Sequence, residues 1–464
     1  MVHQAVILGG VATVTAFASL FMSYKASKQT KIKVRGFVFL LNKLKSKKPD
    51  DAALQKLFEP VDKLWAEVLE QERKAFRDDA AADAAKTTLH EMQLKGIWEP
   101  GNRFSPFGQT IVYKDIIKNL NRRIAFAKRI QSDLSTKRQQ EAGLGSNIII
   151  IAGLPRTGST MIHRLLSADK TTRTPLWWEQ MLDDSSQLPC PPSDLFTDPR
   201  AEEVAKGLKG LSLISPNALS ELNKFHKIGA YEVEECAPFM RRYFNDMDSA
   251  YFSPACVKSR GEWVNDPNVD KSFIFTHLKA WLSLQASTFP EGSDMKWVLK
   301  APLFTPFLNE VSDAFPEATI VFTNRDPMKV VPSTCGLIEV AASLKADWRE
   351  EDEMWKWIGD YTLDRMQYFA SEQMKWTEKQ KRHTVINLDY SETLKDPLKT
   401  VKNIYSKAGR KFEGTASNSM KAHLEENTQH KHGRADYSLE KFGLSKERVE
   451  AGMREYEVKY LGKK

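Results

Sequence analysis

NIIIIAGLPRTGSTMIHRLL, residues 147–166, is the stretch from which the fold of this 464-residue chain can be read. Four consecutive isoleucines, Ile148 to Ile151, are too few and too β-branched for a helix and read as a buried, parallel strand. Gly153, Pro155 and Gly158 supply the turn that must follow, and the hydroxyls of Ser159 and Thr160 can cap a helix start. Met161, Ile162, Leu165 and Leu166 then fall on one helix face. A strand, a glycine turn and a helix N-terminus make an anion cradle, because free backbone N–H groups converge where the helix dipole favours negative charge. The plain alternative is a glycine turn that holds nothing.

From Gly153 to Thr160 the spacing is that of the nucleotide loop GxxxxGK[ST], with Ser159 where the lysine would stand. That lysine neutralises β- and γ-phosphates, so its loss argues against a P-loop kinase or NTPase. The cation of this loop is Arg156.

Composition bounds the rest. With 41% hydrophobic and 28% charged residues the chain is globular and long enough for a large α/β domain with a helical addition. The four cysteines are far apart and form no CxxC pair, which indicates neither a zinc site nor a disulfide framework. The net charge of +8 is concentrated: residues 25–48 hold nine Lys or Arg and no acid, so the remainder is near neutral and nucleic acid is not an expected partner.

Ala5 to Tyr24 is uncharged and, as a helix, about 30 Å long, which matches a bilayer core; the alternative is a buried small-residue helix. The basic segment after it suits a membrane surface or a solvated linker. Residues 1–48 are thus expected to be an anchor with its juxtamembrane segment. Residues 49–140 have helical periodicity, in two runs broken near Trp98-Glu99-Pro100-Gly101, and read as a helical preface that packs on a main domain at 141–464. Further strands are expected at 295–299, 318–323 and 384–388, each followed by helical sequence. This alternation implies an α/β fold, a mostly parallel sheet flanked by helices, with ligands at the carboxyl ends of the strands. Tyr231 to Cys236 reads as a helix start, and His277 as a structural histidine within a helix at 271–287.

Each strand delivers polar residues just past its C-terminal end: Arg156 and Ser159, Lys300, Arg325, Tyr390. With its PRTGST, WVLKAP, NRDP and KHGR motifs in this order, the chain from about 145 to 445 resembles the sulfotransferases that use 3′-phosphoadenosine 5′-phosphosulfate (PAPS). The resemblance implies a P-loop-like sulfotransferase fold, PAPS as donor and no metal. It assigns Arg156, Thr157, Gly158, Ser159 and Thr160 to the 5′-phosphosulfate, Arg325 and Ser333 to the 3′-phosphate and Tyr390 to the adenosine. Gly433 and Arg434 are assigned to a loop over the 3′-phosphate. Two departures stand out. Met161 occupies the place of a tryptophan that stacks adenine in cytosolic members, and Lys300-Ala301-Pro302 keeps a lysine but lacks their histidine base.

Sulfuryl transfer needs cations on the leaving phosphate, here Arg156 and Lys300, and a base for a hydroxyl acceptor. Glu179, flanked by Trp177 and Trp178, is the expected base, with Glu234, Glu235 and His226 as rivals. The accepting group is a hydroxyl or an amine, and the many aromatic residues and the anchor favour a hydrophobic acceptor such as a sterol or lipid alcohol. The competing function is a catalytically silent, membrane-anchored nucleotide-binding protein. Basic residues after the apolar run place the main domain on the cytosolic side of an internal membrane such as the endoplasmic reticulum. The absence of Asn-x-Ser/Thr sequons agrees. A Golgi-lumenal enzyme is the alternative.

Overall fold

A computed structural model describes residues 23–24, 34–35, 51–99, 101–132, 144, 147–182, 189–215, 217–243, 253–291, 293, 295–343, 345–348, 351–427 and 437–463. Most of the apolar run at 5–24 lies outside these residues. Its last two, β1 (Ser23–Tyr24), pair antiparallel with β2 (Val34–Arg35), so the expected helix does not extend through them. Among the described residues no helix is long and apolar enough to cross a membrane.

Among the described residues the preface is three helices: α1 (Asp51–Phe76), α2 (Ala80–Gly96) and α3 (Pro106–Ser132). Sequence periodicity runs α1 and α2 together. The break falls at Arg77, whose φ of 56° ends one helix, and at Asp79, whose carboxylate accepts from Ala81 N and Ala82 N to start the next. These helices share one apolar core with the sheet domain, in which Val61, Val68, Ile116 and Leu120 pack with Phe239, Trp281 and Leu299. A buried ion cluster joins them. Arg123 donates to both Glu72 oxygens at 2.7 and 2.8 Å, and the Lys86 ammonium reaches Glu72 at 3.2 Å and pairs with Asp78. His277 lies 3.4 Å from Asp78. Glu72, Asp78 and His277 have metal-ligand spacing, but Lys86 already fills the space between the two carboxylates.

The chain then enters β3 (Ile149–Ala152), followed by α4 (Ser159–Ser167), β4 (Thr172–Arg173) and α5 (Trp177–Met181). Five helices come next: α6 (Pro199–Ile214), α7 (Ala218–Phe225), α8 (Ala237–Arg241), α9 (Pro254–Asn265) and α10 (Phe273–Ala286). β5 (Lys296–Lys300) leads through a 3-10 turn at Pro302–Phe307 into α11 (Leu308–Ala314). β6 (Thr319–Asn324), α12 (Pro327–Ala342), α13 (Glu351–Lys379) and β7 (Val385–Asp389) complete the sheet. After β7 the described residues form α14 (Tyr390–Lys395), α15 (Pro397–Lys407), α16 (Gly414–Glu426) and α17 (Lys446–Leu461).

The sheet is wholly parallel, in the order β4-β5-β3-β6-β7. Both faces of β3 are covered. Ile148 and Ile150 join the core shared with the preface, while Ile149 and Ile151 face Ile162, Leu165 and Leu166 of α4. Each of those α4 side chains is fully buried, worth roughly 1.5–3 kcal/mol. The expected strands at 148–151, 295–299, 318–323 and 384–388 all form, each shifted by one residue. The two-residue β4 carries too little sequence to announce itself. The chain from Tyr231 to Cys236 is not a helix start: Val233 bridges Leu176 antiparallel, and the helix begins at Ala237.

Candidate active site

β3 is central, with β5 on one side and β6 on the other, so the crevice at the carboxyl ends of these strands is a topological switch point. Arg156, Lys300, Arg325 and Tyr390 sit at or just past the ends of β3, β5, β6 and β7. Strand order and register bring them to one edge.

The loop after β3 is held from below. Thr305 bonds both backbone groups of Gly153, accepting from N at 2.9 Å and donating to O at 3.0 Å. Thr157 Oγ1 donates to Leu154 O at 2.8 Å and shares a 2.6 Å hydrogen bond with Thr323. Arg156 has φ of 64°, a strained choice for a side-chain-bearing residue. Gly158, at φ of 92°, is the N-cap of α4, so the cap is a backbone one and not the expected hydroxyl. A Cβ there would stand 2.6 Å from the Tyr390 ring. Among the described residues, the backbone N–H groups of Thr157, Gly158, Ser159 and Thr160 donate to no protein acceptor. Four unsatisfied donors around a helix N-terminus fit a phosphate or sulfate group.

The cations form a linked set. Arg156 donates through Nε to Ser333 Oγ at 3.1 Å and through a terminal nitrogen to Phe225 O at 2.6 Å. Arg325 donates to Arg156 O at 2.9 Å, and its guanidinium lies 4.2 Å from the Tyr390 ring centre. Burial, with Arg325 close by, lowers the pKa of Arg156, which an arginine tolerates without discharging. Behind Arg325, Tyr456 and Gln373 each donate to Asn324 Oδ1 at 3.2 Å. Met161, which replaces the expected adenine platform, packs on the core under α4. Lys431, His432, Gly433 and Arg434 lie outside the described residues.

A cavity of about 290 Å³ adjoins this edge. Its apolar wall includes Trp177, Leu222, Leu303, Leu337 and Ile338, and its polar groups include His226, Glu234 and Glu235. Two ion pairs order the polar side. Lys300 Nζ pairs with Glu235, and His226 Nε2 lies 2.9 Å from a Glu234 oxygen. Cys236 N donates to Lys300 O at 2.9 Å, which ties the acidic segment to the end of β5. Burial pushes the Glu235 carboxyl up, but Lys300 and His226 outweigh it and hold the group below the usual range.

Glu179 does not join this site. Only 2% exposed, it pairs with Arg173 and accepts from Leu176 N at 2.9 Å, closing the first turn of α5. Helix geometry is the reason: in a helix starting at Trp177, the N3 side chain folds back onto the N-terminus. Trp177 faces the cavity instead, and Trp178 is buried against Leu195 and Arg200. Glu179, expected as the base, thus holds the start of α5 and does not line the cavity. Its helix also holds the acidic segment in place, since Trp177 N donates to Glu232 O at 3.0 Å and Gln180 Nε2 to Glu235 O at 2.9 Å. Sequence reading missed the Lys300–Glu235 pair. It also passed over a signal in α12, where Thr334, Leu337, Ile338 and Ala341 line the cavity at the i, i+3, i+4, i+7 spacing of one helix face.

A parallel sheet with an anion cradle and a ring of cations at its carboxyl edge defines a P-loop-like group-transfer protein, one with Ser159 at the place of the loop lysine and Arg156 as the cation of the loop. The chain belongs to the sulfotransferase family, whose model matches residues 148–414. In fold it is similar to the sulfotransferase STF9 from Mycobacterium avium, with a TM-score of 0.70, 21% identity and coverage of 86% of this chain and 96% of that one. It is likewise similar to the sulfotransferase STF1 from Mycobacterium tuberculosis, with a TM-score of 0.67, 20% identity and coverage of 84% and 97%. A comparison with curated protein sequences finds no match.

Proposed function

We propose that the protein transfers a sulfuryl group from PAPS to the hydroxyl of a hydrophobic acceptor, a sterol or lipid alcohol. The observation that carries this reading is the meeting, at one sheet edge, of the free N–H groups of 157–160, the linked Arg156–Ser333 and Arg325 set and an apolar cavity walled by Glu235. Arg156 and the loop N–H groups would hold the 5′-phosphosulfate, Arg325 and Ser333 the 3′-phosphate, and Tyr390 the adenosine side. When bound, PAPS supplies the sulfuryl group and a nucleotide leaving group in one displacement.

Lys300 and Arg156 stabilise charge on the leaving side. Glu235 takes the proton of the acceptor hydroxyl, a role that falls to it because it lines the cavity beside Lys300. Pairing with Lys300 keeps Glu235 ionised before reaction. Any movement of the ammonium toward developing negative charge weakens the strongest influence that opposes burial and makes the carboxylate more basic. His226, oriented by Glu234, is the second candidate base on the same wall.

The test is incubation with labelled PAPS in EDTA and a panel of sterols, fatty alcohols, phenols and glycans, read by mass spectrometry. Binding of 3′-phosphoadenosine 5′-phosphate with no sulfated product from any acceptor would support a silent binding protein instead. We further propose that the apolar run before β1, residues 5–22, holds the domain on an internal membrane, facing the cytosol. Protease added to intact microsomes should digest it, and protection lost only with detergent would make it a lumenal enzyme instead.

A further inference from the structure

A second cavity, of about 260 Å³, lies against the first, and the two have Leu303 as a common wall. It is bounded by Val257, Gly261 and Val264 of α9, by Leu303 and Phe307 of the 3-10 turn, and by Phe369 of α13. Asp364, also in its lining, is exposed and marks where it reaches solvent. Each cavity alone is at or below the bottom of the range of about 300–1,000 Å³ usual for ligand pockets, and the two joined fall well within it.

Gly261 gives an independent reason to regard the second cavity as more than a packing fault. A glycine inside a helix costs about 1 kcal/mol relative to alanine. Other helix glycines here have a steric reason: a Cβ on Gly359 would meet Phe442 O at 2.1 Å, and one on Gly336 would meet the Phe225 ring at 2.9 Å. A Cβ on Gly261 would meet nothing within 4 Å. The same holds for Gly207, Gly210 and Gly414, but those line none of the cavities described here. At Gly261 the missing side chain leaves open space in the cavity.

We infer that the second cavity receives the distal apolar part of an elongated acceptor whose hydroxyl lies beside Glu235, with Leu303 turning aside as the chain passes. This inference rests on the sulfotransferase reading and narrows its acceptor to alcohols too long for the first cavity. Leu303 then sets the passage between head and tail, and Gly261 the room for the tail.

The test uses full-length protein, labelled PAPS and linear alcohols from 1-hexanol to 1-tetradecanol. In the wild type, KM should fall about threefold to fourfold for each methylene that enters the second cavity. Gly261→Leu, which fills the space and favours the helix, should abolish this gain for the long alcohols and leave 1-hexanol unchanged. Leu303→Ala should strengthen it. A separate arm titrates cis-parinaryl alcohol, whose fluorescence reports binding without turnover, onto wild type and Gly261→Leu. If no alcohol is sulfated but the wild type binds the probe and the variant does not, the tail site stands and the proposed transfer to a lipid alcohol falls. If chain length has the same effect in both proteins and both bind the probe equally, the tail site is overturned.

Discussion

The Lys300 ammonium and the Glu235 carboxylate form an ion pair at the carboxyl end of β5, and the backbone bond from Cys236 N to Lys300 O fixes the two segments against each other. Because β5 adjoins β3, this pair stands beside the loop that carries Arg156. Sheet register thus positions Lys300, and Glu235, in the loop before α8, is held to it by the tether at Cys236.

Glu235→Gln should lower turnover about 10²-fold or more, the scale of a lost general base, and leave nucleotide affinity intact. The pH profile gives an independent check. Burial raises the Glu235 pKa while Lys300 and His226 bring it below 4.5, so the acid limit on kcat/KM from this group should lie below pH 4.5. Lys300→Met removes the larger opposing influence, and its acid limb, scaled to its own plateau, should move to higher pH. An unmoved limb would transfer the role to His226.

Glu179→Gln should act on stability and not on chemistry. The substitution leaves the buried Arg173 without its counter-charge, and breaking such a pair costs about 3–5 kcal/mol. Thermal unfolding should therefore come earlier, with turnover per folded molecule unchanged. Full stability with turnover lowered 10²-fold would return Glu179 to the chemistry.

What was legible in the sequence was what local pattern dictates. Four isoleucines and a glycine turn announce β3 and α4, and polar residues after apolar runs announce the sheet edge, because strand ends and loop chemistry are written in consecutive residues. Glu179 and Glu235 show the limit. Both are acids near aromatic or apolar sequence, and which one faces the cavity depends on the turn at which α5 begins and on a bond from Cys236 to a strand 64 residues further on. Such long-range register leaves no periodic trace. The fusion of the preface with the main core is similar, since Glu72 meets Arg123 and His277 only after three segments have packed.

Arg325→Ala should weaken 3′-phosphoadenosine 5′-phosphate binding by about 10-fold to 100-fold, the loss expected for a charge-assisted hydrogen bond. Calorimetry in EDTA measures it. Gly158→Ala should also weaken binding, because its new Cβ forces Tyr390 away and strains a φ of 92°. Unchanged affinity in the arginine variant would remove Arg325 from the nucleotide site.

The preface should make the whole protein acid-sensitive through His90. Its ring stacks on Trp65 at 4.4 Å between centroids, within the core, and Arg123 lies 4.9 Å from that tryptophan ring. Burial above all, and then Arg123, lowers the His90 pKa from 6.5 to about 3. A folded-state pKa below the unfolded one means that the unfolded chain binds the proton first. Stability from this group is therefore complete above pH 6.5 and is lost as pH falls toward 3. At pH 5 the loss amounts to about 2 kcal/mol. Glu72 and Asp78, held near 2 by surrounding cations against burial, begin to destabilise the fold only below about pH 4.5. Between pH 6.5 and 4.5 the histidines dominate this loss, His163, His277 and His423 also being lowered by burial, while Glu310, whose carboxyl burial pushes up, acts in the opposite direction. His90→Phe keeps a ring against Trp65 and removes one titration, so its urea midpoint should fall less steeply than the wild type's between pH 7.5 and pH 5. Equal slopes in the two proteins would show that His90 takes up its proton as readily folded as unfolded.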